Sequence, residues 1–185
     1  MANRISFENI IIETPKFFLK TLKIENSSDL FKIYSDKEVQ QYTDNELITN
    51  ITEAEKLILS ANNKSKIFIG IFIKNTDKLI GTISIYNINF KHSFSSLGIV
   101  LDKKYWNQAI MYNSLIYLLD FYFNKLNFNR IEAQAFVKNY AAIRLFEKLD
   151  FKNEGRLREN FLIKGKFEDS YLFSILKNNF TIFNK

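Results

Sequence analysis

Cysteine is absent from this chain, and histidine and proline occur once each. Without thiols there can be no disulfide, no Cys-ligated metal and no thiol nucleophile within it. A single imidazole, His92, is a poor basis for a His-rich site, and no metal is expected. Five glycines and one proline among 185 residues, with 16% aromatic content, argue against disorder. No apolar run approaches the roughly 18 residues of a membrane span. The opening residues Met1 to Glu8 carry one cation, Arg4, but no continuous apolar core. A secretory signal is therefore not expected, and the cytoplasm is the default compartment.

Repeats, low-complexity blocks and linker-like stretches are missing as well, so residues 1–185, 46% apolar, read as a single domain with one buried core. The net charge of +6 could attract phosphates in general. Its lysines are scattered from Lys16 to Lys185 with no run of five or six, so nucleic acid is not the expected partner. Arginine is distributed differently. Arg130, Arg144, Arg156 and Arg158 fall in one short segment of a chain that otherwise uses lysine. A rigid fork of donors suits carboxylate or phosphate pairing, and internal ion pairs are the alternative to a ligand role there.

Hydrophobic periodicity gives a mixed order of elements. Residues 10 to 23 predict a strand. Asn26-Ser27-Ser28-Asp29 supplies caps for a helix to Tyr34, and Thr52-Glu53-Ala54-Glu55 opens another to Ala61. Ile67 to Ile73, Leu79 to Ile88 and Leu97 to Leu101 predict a three-strand meander. Met111, Leu115, Leu118, Leu119, Tyr122 and Leu126 share one helical face. A strand alternating through Ile131, Ala133, Ala135 and Val137 follows, then a helix capped at Asn139, then strands near 151–163 and 170–177 joined at Lys164-Gly165-Lys166. The pattern alone predicts a mixed α/β chain, of the α+β kind, with a predominantly antiparallel sheet.

Three stretches carry more than periodicity. Tyr105-Trp106-Asn107-Gln108-Ala109-Ile110-Met111 leads from a strand into a helix, where free N–H groups and the positive dipole end can receive a pyrophosphate. Asn129-Arg130-Ile131-Glu132-Ala133 follows. Asn139-Tyr140-Ala141-Ala142-Ile143-Arg144-Leu145-Phe146-Glu147-Lys148-Leu149-Asp150-Phe151 opens the next helix. Together, and in this order, they resemble the acyl-CoA half of a GNAT N-acetyltransferase, closest to the RimJ/RimL-like branch. The resemblance covers residues 97 to 176, with a weaker start at Glu13-Thr14-Pro15-Lys16-Phe17-Phe18-Leu19-Lys20. It implies the GNAT fold, a mixed, mostly antiparallel twisted sheet of about six to seven strands flanked by about four helices.

The same resemblance implies acetyl-CoA as co-substrate, and as acceptor a primary amine, either a protein N-terminus or a small molecule. The amine would attack directly in a ternary complex. Cofactor contacts would come from Ile99, Val100 and Leu101, from Trp106, Asn107, Gln108, Ala109, Ile110 and Met111, and from Asn139, Ala142, Arg144 and Lys148. Lys103 and Lys104 could add charge beside the loop. A backbone N–H near Ile99 would serve the oxyanion. Read without the family, Asn139 is simply an N-cap.

Five positions depart from the family's pattern. Asn107 and Ala109 replace glycines in the loop, where Ala at positive φ costs of order 1 kcal/mol. Asp150 replaces a helix-ending Gly, and Ala142 a frequent Ser. Ser96 stands where a catalytic Glu is often found, and a hydroxyl is a poor base without an activating neighbour. Glu132 is the expected substitute base, with Gln134 beside it, although pairing with Arg130, Arg156 or Arg158 is its structural alternative. His92, Asp169 and Tyr171 are further candidates. A non-catalytic acyl-CoA-binding protein of this fold is the alternative function. Acceptor choice is expected to rest on residues 36 to 50, 89 to 95 and 164 to 169, and Phe180 and Phe183 could support a homodimer.

Overall fold

The computed structural model describes residues 10–44, 46–61, 65–163 and 165–181. The opening segment through Glu8, Lys164 of the expected turn and Phe183 lie outside them. Eight strands form one sheet in the order β1-β2-β3-β4-β5-β6-β8-β7. The strand expected over 10–23 is two, β1 (Ile11–Glu13) and β2 (Phe17–Thr21), paired antiparallel. Pro15 cannot donate to a ladder, and the Thr14 hydroxyl instead accepts the Phe17 N–H at 3.0 Å across the turn. This break carries the strand count past the expected six to seven.

Helices α1 (Ser27–Tyr34) and α2 (Ile51–Ser60) follow. Asn50 Oδ1 accepts the Glu53 N–H at 3.0 Å while the Glu53 carboxylate accepts the Thr49 N–H at 2.6 Å, which fixes where α2 begins. Strands β3 (Lys66–Ile73), β4 (Leu79–Asn89) and β5 (Phe94–Leu101) make the expected meander. Ile67, Ile69 and Ile71 face one side of β3, and Phe68 and Phe72 face the other. The first set packs with α3 (Ile110–Asp120) through Leu115, Leu118 and Leu119. The second packs with α1 and α2 through Leu30, Ile33, Tyr34, Ala54 and Ile58. Burial on both faces accounts for the nearly continuous apolar run in β3. Among the described residues no helix is long and apolar enough to cross a membrane.

A π-helical turn (Phe121–Lys125) extends α3 before β6 (Arg130–Phe136) enters parallel to β5. Then come α4 (Tyr140–Lys148) and the long hairpin of β7 (Lys152–Ile163) and β8 (Lys166–Leu176). The end of α4 keeps the geometry that a glycine would give. Asp150 sits at φ 62°, its N–H donates to Glu147 O at 3.0 Å, and the Phe151 N–H donates to Phe146 O at 3.0 Å. These are the two bonds of a Schellman stop, and the Phe146 and Phe151 rings, 5.3 Å apart, supply its hydrophobic contact.

Asp pays a left-handed penalty at that stop that Gly does not, so Asp150→Gly should raise stability by about 0.5–1 kcal/mol. In a chain of this size that corresponds to about 1–4 °C, read by thermal unfolding. An unchanged or lower midpoint would show that the Asp150 carboxylate returns the penalty through contacts of its own.

Candidate active site

Parallel pairing of β5 with β6 joins Phe94–Leu97 to Arg130–Ala133 and then stops. Beyond that point β5 stays with β4 as far as Leu101 opposite Gly81, and β6 stays with β8 as far as Phe136 opposite Ser170. The parted strands open a cleft of ≈ 500 Å³. Its walls include Gly98, Ile99 and Val100 from β5, Gln134 and Phe136 from β6, and Asn139, Ala142 and Phe146 from α4. The Asp102 N–H donates to Ile80 O at 2.8 Å across β4. Strand alternation therefore turns the Ile99 and Leu101 amides the other way, into the gap. Trp106 takes one of the freed groups, its indole Nε1–H donating to Leu101 O at 2.8 Å.

The chain leaves β5 through a tight loop. The Asp102 carboxylate accepts the Lys104 N–H at 3.0 Å, a 3-10 turn spans Lys103–Tyr105, and Asn107 (φ 59°) and Ala109 (φ 55°, ψ 14°) are both left-handed. The two residues that stand in for glycine adopt the glycine conformation, Asn at small cost and Ala at about 1–2 kcal/mol. Ala109 is the N-cap of α3, with no side-chain cap hydrogen bond, so the first amides of that helix are open to an anion. Gln108 braces the loop from outside, Nε2–H to Lys104 O at 2.9 Å. Lys103, expected to add charge here, instead holds Asp36 and Glu38, each at 3.0 Å, and these partners raise its pKa. Arg144 is exposed on α4, and the Lys148 ammonium lies 4.5 Å from the Tyr112 ring centre.

Asn139 has its expected cap geometry, Oδ1 accepting the Ala142 N–H at 3.1 Å, and it also lines the cleft. Deeper in, the wall is aromatic. Tyr34, Tyr42, Phe68, Tyr86 and Phe161 line it, and Phe161 meets Phe136 edge-on at 5.0 Å. Burial pushes the Tyr34 phenol up to about 12, and its hydroxyl is bonded to Thr82 Oγ1 at 2.8 Å. Tyr86 is also raised, first by burial and then by the charges of Asp44 and Glu132, so it keeps its proton at neutral pH. Gly98 lies beneath it: a Cβ there would stand 2.9 Å from Ser84 Oγ and 3.7 Å from Tyr86 Cε1.

Neither expected catalytic side chain lines this cleft. Ser96 is 7% exposed, its Oγ 3.5 Å from Asn87 Nδ2, and it sits in the still-paired part of β5. Glu132 is drawn to its structural alternative, Oε1 accepting Arg130 Nε–H at 2.7 Å. Arg130 also grips Glu154 through two bonds of 2.7 and 2.9 Å, and Ser174 Oγ donates to the same carboxylate. Glu154 is 24 residues away in sequence, so the arrangement could not be read from the Arg130-Ile131-Glu132 run. His92 is exposed in the β4–β5 turn. Asp169 pairs with Arg156 and accepts the Glu159 N–H at 2.7 Å, shaping a bulge in β7, while Tyr171 packs edge-on against Phe173. Of the segments expected to bound the acceptor, 36–50 contributes Tyr42, Thr43 and Asp44, while Phe136 and Phe161 lay outside every expected segment.

Glu154 is held down at about 2 by its bonds to Arg130 and Ser174. A depressed carboxylate stabilises the fold above its unfolded pKa, and that contribution is lost as pH falls through the folded value. Glu154→Gln should therefore remove part of the stability lost between about pH 4.5 and 2, read by denaturant unfolding across that range. An identical pH slope in the variant would assign the loss to other carboxylates.

Comparison with known proteins agrees with this geometry. The acetyltransferase (GNAT) domain family matches residues 16–152. The uncharacterized N-acetyltransferase p20 of Bacillus licheniformis is 31% identical over 172 residues, covering 90% of this chain and 96% of its own. Among solved structures, spermidine N-acetyltransferase from Vibrio cholerae in complex with CoA and spermine superposes with a TM-score of 0.81 at 22% identity, over 90% of this chain and 98% of that one. RimL, a ribosomal L7/L12 alpha-N-protein acetyltransferase in complex with coenzyme A, gives 0.83 at 20% identity over the same shares. At those identities the two structures speak for the fold. An eight-strand sheet parted at β5 and β6, a matching family domain and a full-length N-acetyltransferase relative place this chain in the GNAT family, as an acetyl-CoA-dependent N-acetyltransferase.

Proposed function

We propose that this enzyme moves an acetyl group from acetyl-CoA to a primary amine by direct attack within a ternary complex, in the manner of the RimJ/RimL-like branch and in the cytoplasm. The observation that carries this reading is the parting of β5 from β6, which turns the Ile99 N–H into the gap beside the uncapped start of α3. CoA would lie with its pyrophosphate on the amides of Asn107 to Met111 and its pantetheine between the parted strands, past Asn139 and Ala142. Arg144 and Lys148, on the helix that Asn139 caps, would meet the outer phosphate. The thioester carbonyl would then reach the Ile99 amide.

Transfer requires a neutral amine, a partner for the developing oxyanion and a proton for the departing thiolate. The amine nitrogen forms the new C–N bond as the C–S bond breaks, and the proton it sheds ends on sulfur. Asp44 is the carboxylate among the described lining residues and is placed to draw in the ammonium. Glu132, the expected base, has its carboxylate held by Arg130. Tyr86 holds its proton and serves as a donor on the same wall. The acceptor itself is either a small amine, as the name of the spermidine enzyme suggests, or a protein N-terminus, as the name of RimL suggests.

Acetyl-CoA should raise the melting temperature saturably. About 2.7 kcal/mol is expected at a hundredfold excess over its dissociation constant, an increase of several degrees, and no rise at millimolar ligand would sink the proposed cofactor site. Ala109→Gly should bind at least as tightly, because it relieves the left-handed strain without moving an amide. Ala109→Val should weaken binding at least tenfold, because a β-branched residue resists positive φ. Equal affinity in the Val variant would show that the loop does not touch the ligand.

A further inference from the structure

We propose that the acceptor end of the cleft selects a small monoamine with an aromatic body, such as an arylalkylamine, and discriminates against polyamines. The inference rests on the transferase reading for its chemistry, but its evidence is the wall itself. Among the described residues lining the cleft, Asp44 and Lys66 are the charged ones, and one carboxylate against one ammonium sums to zero. Four carboxylates nearby are already engaged by cations. Glu132 and Glu154 share Arg130, Glu168 accepts Lys138 at 2.9 Å, and Asp169 accepts Arg156 at 2.6 Å. A polyamine brings several ammonium groups, and each one taken out of water requires a partner that this wall does not provide.

Aromatic surface is abundant where charge is lacking. Tyr42, Tyr86, Phe136 and Phe161 come from four separate parts of the chain. Phe161 is brought in by the β7 bulge, where the pairing register jumps between Leu157 and Phe161 and Asp169 fixes the Glu159 amide. Phe136 meets it edge-on, and both rings line the cleft. Ring faces bind apolar and aromatic bodies and attract one cation. Asp44 completes the set as the anchor for a single ammonium, and Gly98 leaves the floor beneath Tyr86 clear of side chain.

The test is a competition between equimolar 2-phenylethylamine and spermidine for limiting acetyl-CoA, with products quantified by mass spectrometry. Calorimetric binding of each amine, with and without CoA, runs beside it. The proposal expects kcat/KM for 2-phenylethylamine to exceed that for spermidine by about tenfold or more, the discrimination an apolar pocket can supply. Phe161→Ala should raise KM for 2-phenylethylamine about tenfold while leaving CoA affinity unchanged. If neither amine is acetylated but 2-phenylethylamine binds more tightly, the acceptor assignment stands and the transferase reading falls. Spermidine bound or acetylated equally well or better, neither amine bound, or an unaltered KM in the Phe161 variant would overturn the proposal.

Discussion

Beyond Leu97 and Ala133 the two central strands each keep a single neighbour, and the rest of the site depends on that parting. A ladder that ends inside a sheet leaves backbone amides and carbonyls without partners, which is costly where water is excluded. Trp106 settles part of the debt by bonding Leu101 O, and the amides that remain are what a thioester carbonyl and a pantetheine arm would use. The gap also sets where the helices begin. α3 follows β5 and α4 follows β6, so two helix N-termini rise from the carboxyl ends of the two diverging strands. That is the place where parallel α/β units generally receive ligands.

Three left-handed residues hold this arrangement, and none of them is glycine. Asn107 and Ala109 turn the chain into α3, and Asp150 turns it out of α4 toward β7. The surrounding structure over-determines each of them. Trp106, Gln108 and the Asp102 cap fasten the loop on both sides of Asn107, and the Phe146–Phe151 contact with its two backbone bonds fastens the other turn. Strain of one or two kcal/mol persists where neighbours supply more than that in return. An Ala at a glycine position therefore does not imply a different loop.

This is also where the sequence was most and least legible. Helices and strands followed from apolar spacing, because both faces of β3 and β4 are covered and the pattern of Ile and Phe reports which face meets which helix. Motif order marked out the proposed cofactor half, since its residues are contiguous along the chain from Trp106 to Met111 and from Asn139 to Lys148. The proposed acceptor half is assembled from Tyr42, Asp44, Tyr86, Phe136 and Phe161, which no local pattern joins. Glu132 shows the limit plainly. Its position on β6 was readable, but its carboxylate is turned by Arg130, and Arg130 is oriented by Glu154 and Ser174 across β8.

Net charge is a further case in which a whole-chain number and a local site part company. The chain carries +6, yet Lys103, Arg130 and Arg156 are engaged with carboxylates. Their positive charge is thereby confined to structural pairs. Arg144 on the exposed side of α4, and the backbone dipole at the start of α3, offer the local positive field that a polyanionic cofactor would meet. At the far end of the cleft Asp44 and Lys66 offset each other, and burial keeps Tyr34 and Tyr86 protonated and uncharged. On the proposed reading, such a distribution would orient a phosphate-tailed thioester before any side chain touches it. The tail would be drawn one way and the acyl group left in the gap, where a single amide would serve the oxyanion.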